Sequence, residues 1–163
     1  MGKQQSERER IYMIDLETLI AEREIARALA GIARAMDERN WAGIAEIMIA
    51  GASADIGTGP LASRDDIVAN MRSFLDDCGP TQHLLGNLVI DVDGDEALSR
   101  CYVSDMHLGL GDKARLSFST LGEYHDNWRK IGGRWWMVRR RKLNRAHIGD
   151  ISVLGAGPDN WSG

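Results

Sequence analysis

Residues 81–96 read TQHLLGNLVIDVDGDE, and this stretch divides the chain into two kinds of pattern. Leu84, Leu88, Ile90 and Val92 alternate with more polar neighbours, the two-residue period of a half-buried strand. Asp93-Gly94 follows as a hairpin turn, because glycine supplies the positive φ that a tight reversal needs. Toward the C-terminus, further strands are predicted over about 97–110, about 115–128 and from 134, with turns at Gly111-Asp112 and in IGGR (131–134). Toward the N-terminus, Gly79-Pro80 stops a helix, and the pattern before it is helical. LETLIAEREIARALAGIARAMD (16–37) gathers Ile25, Leu29, Ile32 and Met36 on one face at about 100° per residue, with Glu24, Arg27 and Arg34 opposite. Asn40 caps a predicted second helix over 41–50, and Ser63 with Asp66 starts a third over 64–76 in the manner of a capping box. The expected fold class is α+β, with N-terminal helices packed on an antiparallel meander.

The 163 residues suffice for one domain, and two would each have a marginal core. The expected division is an N-terminal extension (1–14), the domain (15–150) and a tail (151–163) that Gly155, Gly157, Pro158 and Gly163 mark as loose. Twenty Lys and Arg against 24 Asp and Glu give a net charge of −4, without the basic excess of a general nucleic-acid binder. No run approaches the roughly 18 apolar residues that would span a bilayer. Cys78 and Cys101 are too few for a disulfide scaffold and lack zinc-site spacing. MGKQQSERER has no apolar segment of a secretory signal, so a cytoplasmic location is expected.

Candidate chemistry is sparse. DVDGDE (91–96) opens like a calcium loop, but Glu96 stands where that loop needs glycine and Tyr102 where it needs Glu. No phosphate-binding loop, GxSxG or HExxH is present. Of the four histidines, His107 has Asp105 two residues earlier on the same strand face, while His83 begins the first meander strand. Strict alternation puts His83 opposite the Leu84, Leu88, Ile90, Val92 face; a bulge near Gly86 would reverse that parity. Asp37 ends the long helix, where the helix dipole disfavours a carboxylate. It is either solvated or paired in a pocket beneath the helix. In the basic run 139–142, alternation places Arg140 and Lys142 with Trp136 and Val138, and Arg139 and Arg141 with Trp135 and Met137.

Together, ARAMDERNW (33–41) ending a long helix, SRDDI (63–67) opening the third helix, and a meander closing in GGRWWMVRRR (132–141) resemble the SnoaL-like branch of the nuclear transport factor 2-like superfamily. That resemblance covers roughly residues 15–150. It implies a cone: a curved antiparallel sheet around a cavity that the N-terminal helices close. Members include polyketide cyclases, ketosteroid isomerases, scytalone and bile acid dehydratases, hexachlorocyclohexane dehydrochlorinase and the small subunits of ring-hydroxylating dioxygenases. In the dehydratases and the dehydrochlorinase an Asp ending the first helix orients a His at the start of the first meander strand. Asp37 and His83 fall at those places. The arginine five residues after the final-strand tryptophan falls on Arg140, counting from Trp135. Asp105 and His107 match pocket positions on the second meander strand. The tyrosine that several dehydratases carry on the first helix is absent, Ile32 standing near its place, and the aspartate base of ketosteroid isomerases has no counterpart.

The resemblance therefore implies a cofactor-free and metal-free lyase or isomerase. His83 is its general base, Asp37 the orienting carboxylate and Arg140 the anion-stabilising donor; Asp105 and His107 are pocket residues. The ligand is a hydrophobic, ring-bearing small molecule. The alternative is a non-catalytic ligand-binding or partner subunit, since one fold hosts both. The enzyme reading requires His83 and Asp37 within about 6 Å, His83 shielded from solvent, and an apolar cavity of roughly 300 Å³ or more. A homo-oligomer, trimer or dimer, is expected from the aromatic surface that Tyr124, Trp128, Trp135 and Trp136 would expose.

Overall fold

A computed structural model describes residues 15–158; the expected extension 1–14 lies outside them. Helix α1 (Leu16–Asp37) starts at Asp15, whose carboxylate accepts the Thr18 N–H at 2.7 Å. Its buried face is the expected one, with Ile25, Leu29, Ile32 and Met36 in the core. Helix α2 (Trp41–Ala45) is capped by Asn40, and α3 (Arg64–Leu75) by Ser63, which accepts the Asp66 N–H at 3.1 Å and donates to its carboxylate at 2.7 Å. The strands are β1 (Met48–Asp55), β2 (Pro60–Leu61), β3 (Thr81–Asp93), β4 (Glu96–Leu108), β5 (Ser117–Ile131) and β6 (Arg134–Gly149). They form one open sheet in the order β2-β1-β6-β5-β4-β3, antiparallel except for the parallel β1–β6 pair.

The helix expected over 41–50 is corrected. It ends at Ala45, and residues 48–55 form β1 along the free edge of β6. A short apolar run fits either element by period alone, and here the unpaired backbone of β6 decides it. The Met137 N–H, for example, donates to the Ile47 carbonyl at 2.9 Å.

Two bulges set which side chains face the helices. The β3–β4 register slips between Gly86 and Val89, with Asn87 at φ 50°. His83 and Leu85 consequently share the inner face with Ile90 and Val92, while Leu84 is 64% exposed on the outer face. The expected face of Leu84, Leu88, Ile90 and Val92 is thus split in two. On β6 the register slips beside Val138. Arg140 therefore lies on the inner face with the buried Trp135 and Met137, not with Trp136 and Val138 as strict alternation implies. One extra residue per strand reverses every side chain beyond it.

The aromatic surface expected to drive self-association is also corrected: Tyr124, Trp128 and Trp135 are buried. The exposed apolar residues of the meander include Leu84, Tyr102, Met106 and Leu121. Nor are the described residues after Ile148 loose; 159–163 of the expected tail lie outside them. Asp150 caps a single turn (Ile151–Val153), Val153 is 2% exposed, and the Gly155 N–H donates to the Phe74 carbonyl at 2.8 Å. A Cβ at Gly155 would stand 2.2 Å from the Ser73 carbonyl oxygen. Gly155→Ala must therefore lift this segment off α3, with an expected loss of about 1–3 kcal/mol measured by denaturant unfolding.

Candidate active site

A cavity of about 480 Å³ opens between the inner face of the sheet, α3 and the segment after β6. Met36, Met71, Phe74, Leu75, Phe118 and Leu154 make its apolar walls, and His83, Asp105, His107, Tyr124, Arg140 and Lys142 its polar end. Of the candidate site residues, His83, Asp105, His107 and Arg140 line it directly, and Asp37 is joined to it through His83.

The first β3 residues carry His83 against the C-terminal end of α1. Its Nδ1 lies 2.7 Å from Asp37 Oδ1, its backbone N–H donates to Oδ2 at 3.0 Å, and the Thr81 hydroxyl donates to Oδ1 at 3.1 Å. These donors compensate for the carboxylate's unfavourable place in the helix dipole. Burial pushes the Asp37 pKa up, but the bonds from the His83 ring and backbone, the charge of His83 and Thr81 hold it below the ordinary carboxylate value. Arg39, in the left-handed region at φ 55°, ties the two elements together. It donates to the Met36 carbonyl at 2.7 Å, to Thr81 Oγ1 at 2.9 Å and to the Gly79 carbonyl at 3.2 Å. With Asp37 ionised, Nδ1 carries the His83 proton, and Nε2 is left as the acceptor. The imidazole is only 4% exposed.

A second group faces this dyad. The His107 ring meets that of His83 edge-on at 5.6 Å, and its Nδ1 lies 3.2 Å from the Phe118 carbonyl. A carbonyl only accepts, so Nδ1 is the protonated nitrogen of neutral His107. Burial lowers the His107 pKa, outweighing the pull of Asp105 at 3.7 Å. Asp105 accepts the Thr120 N–H at 2.8 Å and the Lys142 ammonium at 2.7 Å. Burial works against its charge, yet Lys142, then His107 and His83, hold its pKa below normal. Arg140 binds Asp126 through Nε and Nη2, each at 2.8 Å, with both side chains 1% exposed. Its guanidinium lies 4.0 Å above the Tyr124 ring, and Nη1 has no hydrogen-bond partner among the described residues.

His83, Asp105 and His107 bring donor atoms within 4.8 Å of one another, a set that a metal ion could use. Both Asp105 oxygens already accept a hydrogen bond, however, and an ion there would stand beside the Lys142 ammonium, a like charge. The arrangement fits proton transfer better than metal binding.

Asp126, Lys142 and the Thr81–Arg39 clamp were not identified as site residues from the sequence. Lys142 was visible two residues after Arg140 on the same face, but only as part of a basic run. Asp126 becomes evident once β5 and β6 are in register, since it pairs directly with Arg140.

The depressed pKa values set a pH dependence. His107 stays neutral in the folded protein where the unfolded chain, with an ordinary value of 6.5, takes up a proton. Stability should therefore fall as pH drops through that value, because the unfolded state binds more protons. Asp37 and Asp105 add a second loss below their ordinary 3.8, as they are protonated. Denaturant unfolding between pH 8 and pH 3 should show both steps, and His107→Asn should remove the upper one.

The sequence profile of the SnoaL-like domain family matches residues 17–141. A search of curated proteins finds no match. Among solved structures, a hexachlorocyclohexane dehydrochlorinase (LinA, type 2) superposes with a TM-score of 0.75 at 18% identity, over 89% of this chain and 99% of that one. A protein from Novosphingobium aromaticivorans provisionally named scytalone dehydratase gives 0.69 at 21% identity, over 80% and 87%. Another from the same organism, provisionally named an aromatic ring hydroxylase, gives 0.72 at 20%, over 81% and 94%. At these identities the likeness establishes the fold, with helices packed on a curved, open sheet.

Proposed function

This chain belongs to the SnoaL-like domain family of the nuclear transport factor 2-like superfamily, and from that premise we propose that it is a cofactor-free lyase or isomerase. Its substrate is a hydrophobic, ring-bearing small molecule. One observation carries the reading: His83 is buried, 2.7 Å from Asp37, in the wall of a largely apolar cavity of about 480 Å³. A binding subunit has no need of an imidazole whose outer nitrogen is kept as a proton acceptor. The names of the dehydrochlorinase and the dehydratase-like relative point to the same class of chemistry.

His83 Nε2 removes a proton next to a carbonyl or beta to a leaving group. Asp37 fixes the ring and favours the imidazolium that forms. His107 and Asp105 stand within reach to relay a proton toward the departing group, and Arg140 Nη1 is an unpaired donor for developing negative charge. The ring-hydroxylase-like relative favours a second reading, a ligand-binding or partner subunit.

Steroid-like and aromatic ligands should first be screened for thermal stabilisation. The stabilising compounds are then tested for elimination or isomerisation with no cofactor added. Turnover that requires His83 supports the enzyme; ligands bound by wild type and never converted support the subunit.

A further inference from the structure

Within the lyase or isomerase reading, we propose that Lys142 is a catalytic residue that holds the oxyanion formed on the substrate. The cavity is lined or backed by three carboxylates, Asp37, Asp105 and Asp126, and two fixed cations, Arg140 and Lys142. The two cations are not equivalent. Arg140 is 1% exposed, gives two nitrogens to Asp126 and lies flat on Tyr124. Of its nitrogens only Nη1 is without a partner among the described residues. The Lys142 side chain is 16% exposed, more than that of Asp105, His83 or His107. Its one hydrogen bond among the described residues goes to Asp105 Oδ2 at 2.7 Å. An ammonium has three donors, so two are left without a hydrogen bond among the described residues, on a group anchored in the cavity lining 6.0 Å from the Tyr124 ring.

The anchor is itself held. Asp105 pairs with His83 in the β3–β4 register and takes the Thr120 N–H on its other oxygen. Lys142 therefore lies one hydrogen-bonded carboxylate away from the strand position that carries the base. When the C–H bond breaks, its proton moves to His83 Nε2, and its electron pair becomes the new C=C bond of an enolate. The carbonyl π electrons move to oxygen, and that oxygen accepts hydrogen bonds from Lys142, which keeps its proton. Reforming the C=O bond then expels a β leaving group, or returns the proton from His83 to another carbon. The imidazolium charge is met by Asp37, while Lys142, whose charge is shared with Asp105, gives the oxyanion hydrogen bonds in a cavity with little water to do so.

A series of naphthols of decreasing pKa tests this without the natural substrate, with naphthalene as the neutral control. Absorbance and fluorescence distinguish naphthol from naphtholate. Wild type should bind these compounds as naphtholates, more tightly as their acidity increases. Lys142→Gln should weaken naphtholate binding roughly tenfold or more and change naphthalene binding by less than about twofold. Lys142→Arg should recover part of the loss. If Lys142→Gln fails to fold because Asp105 loses its partner, Asp105→Asn/Lys142→Gln supplies a neutral pair with the same expected loss. Naphtholate affinity unchanged in these variants would overturn the assignment. So would an equal loss for naphthalene, or a wild type that binds naphthalene as tightly as naphtholate. Failure of the lyase reading is seen separately, as absent turnover of the ligands that stabilise the wild type.

Discussion

Replacing His83 with alanine should lower turnover of the true substrate by roughly 10² to 10⁴, the usual contribution of a general base. The fold should survive, because the ring lines an existing cavity and the loss enlarges it instead of opening a void in a packed core. Asp37→Asn should act through the same imidazole. The amide holds the ring less firmly and no longer favours its protonated form, so kcat should fall more than KM rises. Both are read by steady-state kinetics on a converted ligand from the screen. Full activity in His83→Ala would end the proposed mechanism, and a rise in KM alone would place His83 in binding only.

Asp126→Ala should destabilise the protein by about 3–5 kcal/mol, because it leaves the Arg140 guanidinium buried without its counter-charge. Nε and Nη2 both lose their acceptor, and Nη1 already has none among the described residues. Asp126→Leu with Arg140→Met should recover most of the loss, since apolar replacements remove the desolvation cost of both charges. Denaturant unfolding of the two single variants and the double variant measures this. The double variant also separates two roles for Arg140. Normal turnover in a stable double variant makes the pair a structural support for Tyr124 and β6. Lost turnover with recovered stability makes Nη1 a donor to the substrate, as the family resemblance implies.

The elements whose local chemistry is self-sufficient were legible in the sequence. Asn40 and Ser63 cap their helices through backbone N–H groups three residues on, and Asp93-Gly94 closes its hairpin. The apolar face of Ile25, Leu29, Ile32 and Met36 needs only the helical period to appear. Strand β1 was not legible. Its eight residues, MIAGASAD, become a strand because β6 offers a parallel edge more than 80 positions later, and no local pattern contains that information. The segment after β6 was misread for a related reason. Its glycines allow a flexible tail, but Gly155 is needed where the backbone meets Ser73 with no room for a Cβ.

The sequence by itself determined the class of fold, the bounds of the first and third helices, the change from helices to strands at Gly79-Pro80, and a short set of candidate residues. Period alone left Asp37 between a solvated helix end and a pocket, and strict alternation put His83 and Arg140 on the wrong faces, although Gly86 marked where a bulge would turn His83 inward. The family resemblance chose Asp37, His83 and Arg140; the tertiary structure supplied the geometry that brings them to one cavity. Two bulges, at Gly86–Val89 and beside Val138, shift the strand parity by one residue and bring both side chains to the inner face. The contacts that define the polar end of the cavity are all long-range: Asp37 with His83, Asp105 with Lys142, Asp126 with Arg140. A strand's side chains alternate with its own period, but where that alternation is broken depends on how neighbouring strands pair. Buried charges likewise become tolerable only when a partner from another strand or helix meets them, so these pairings are properties of the assembled sheet.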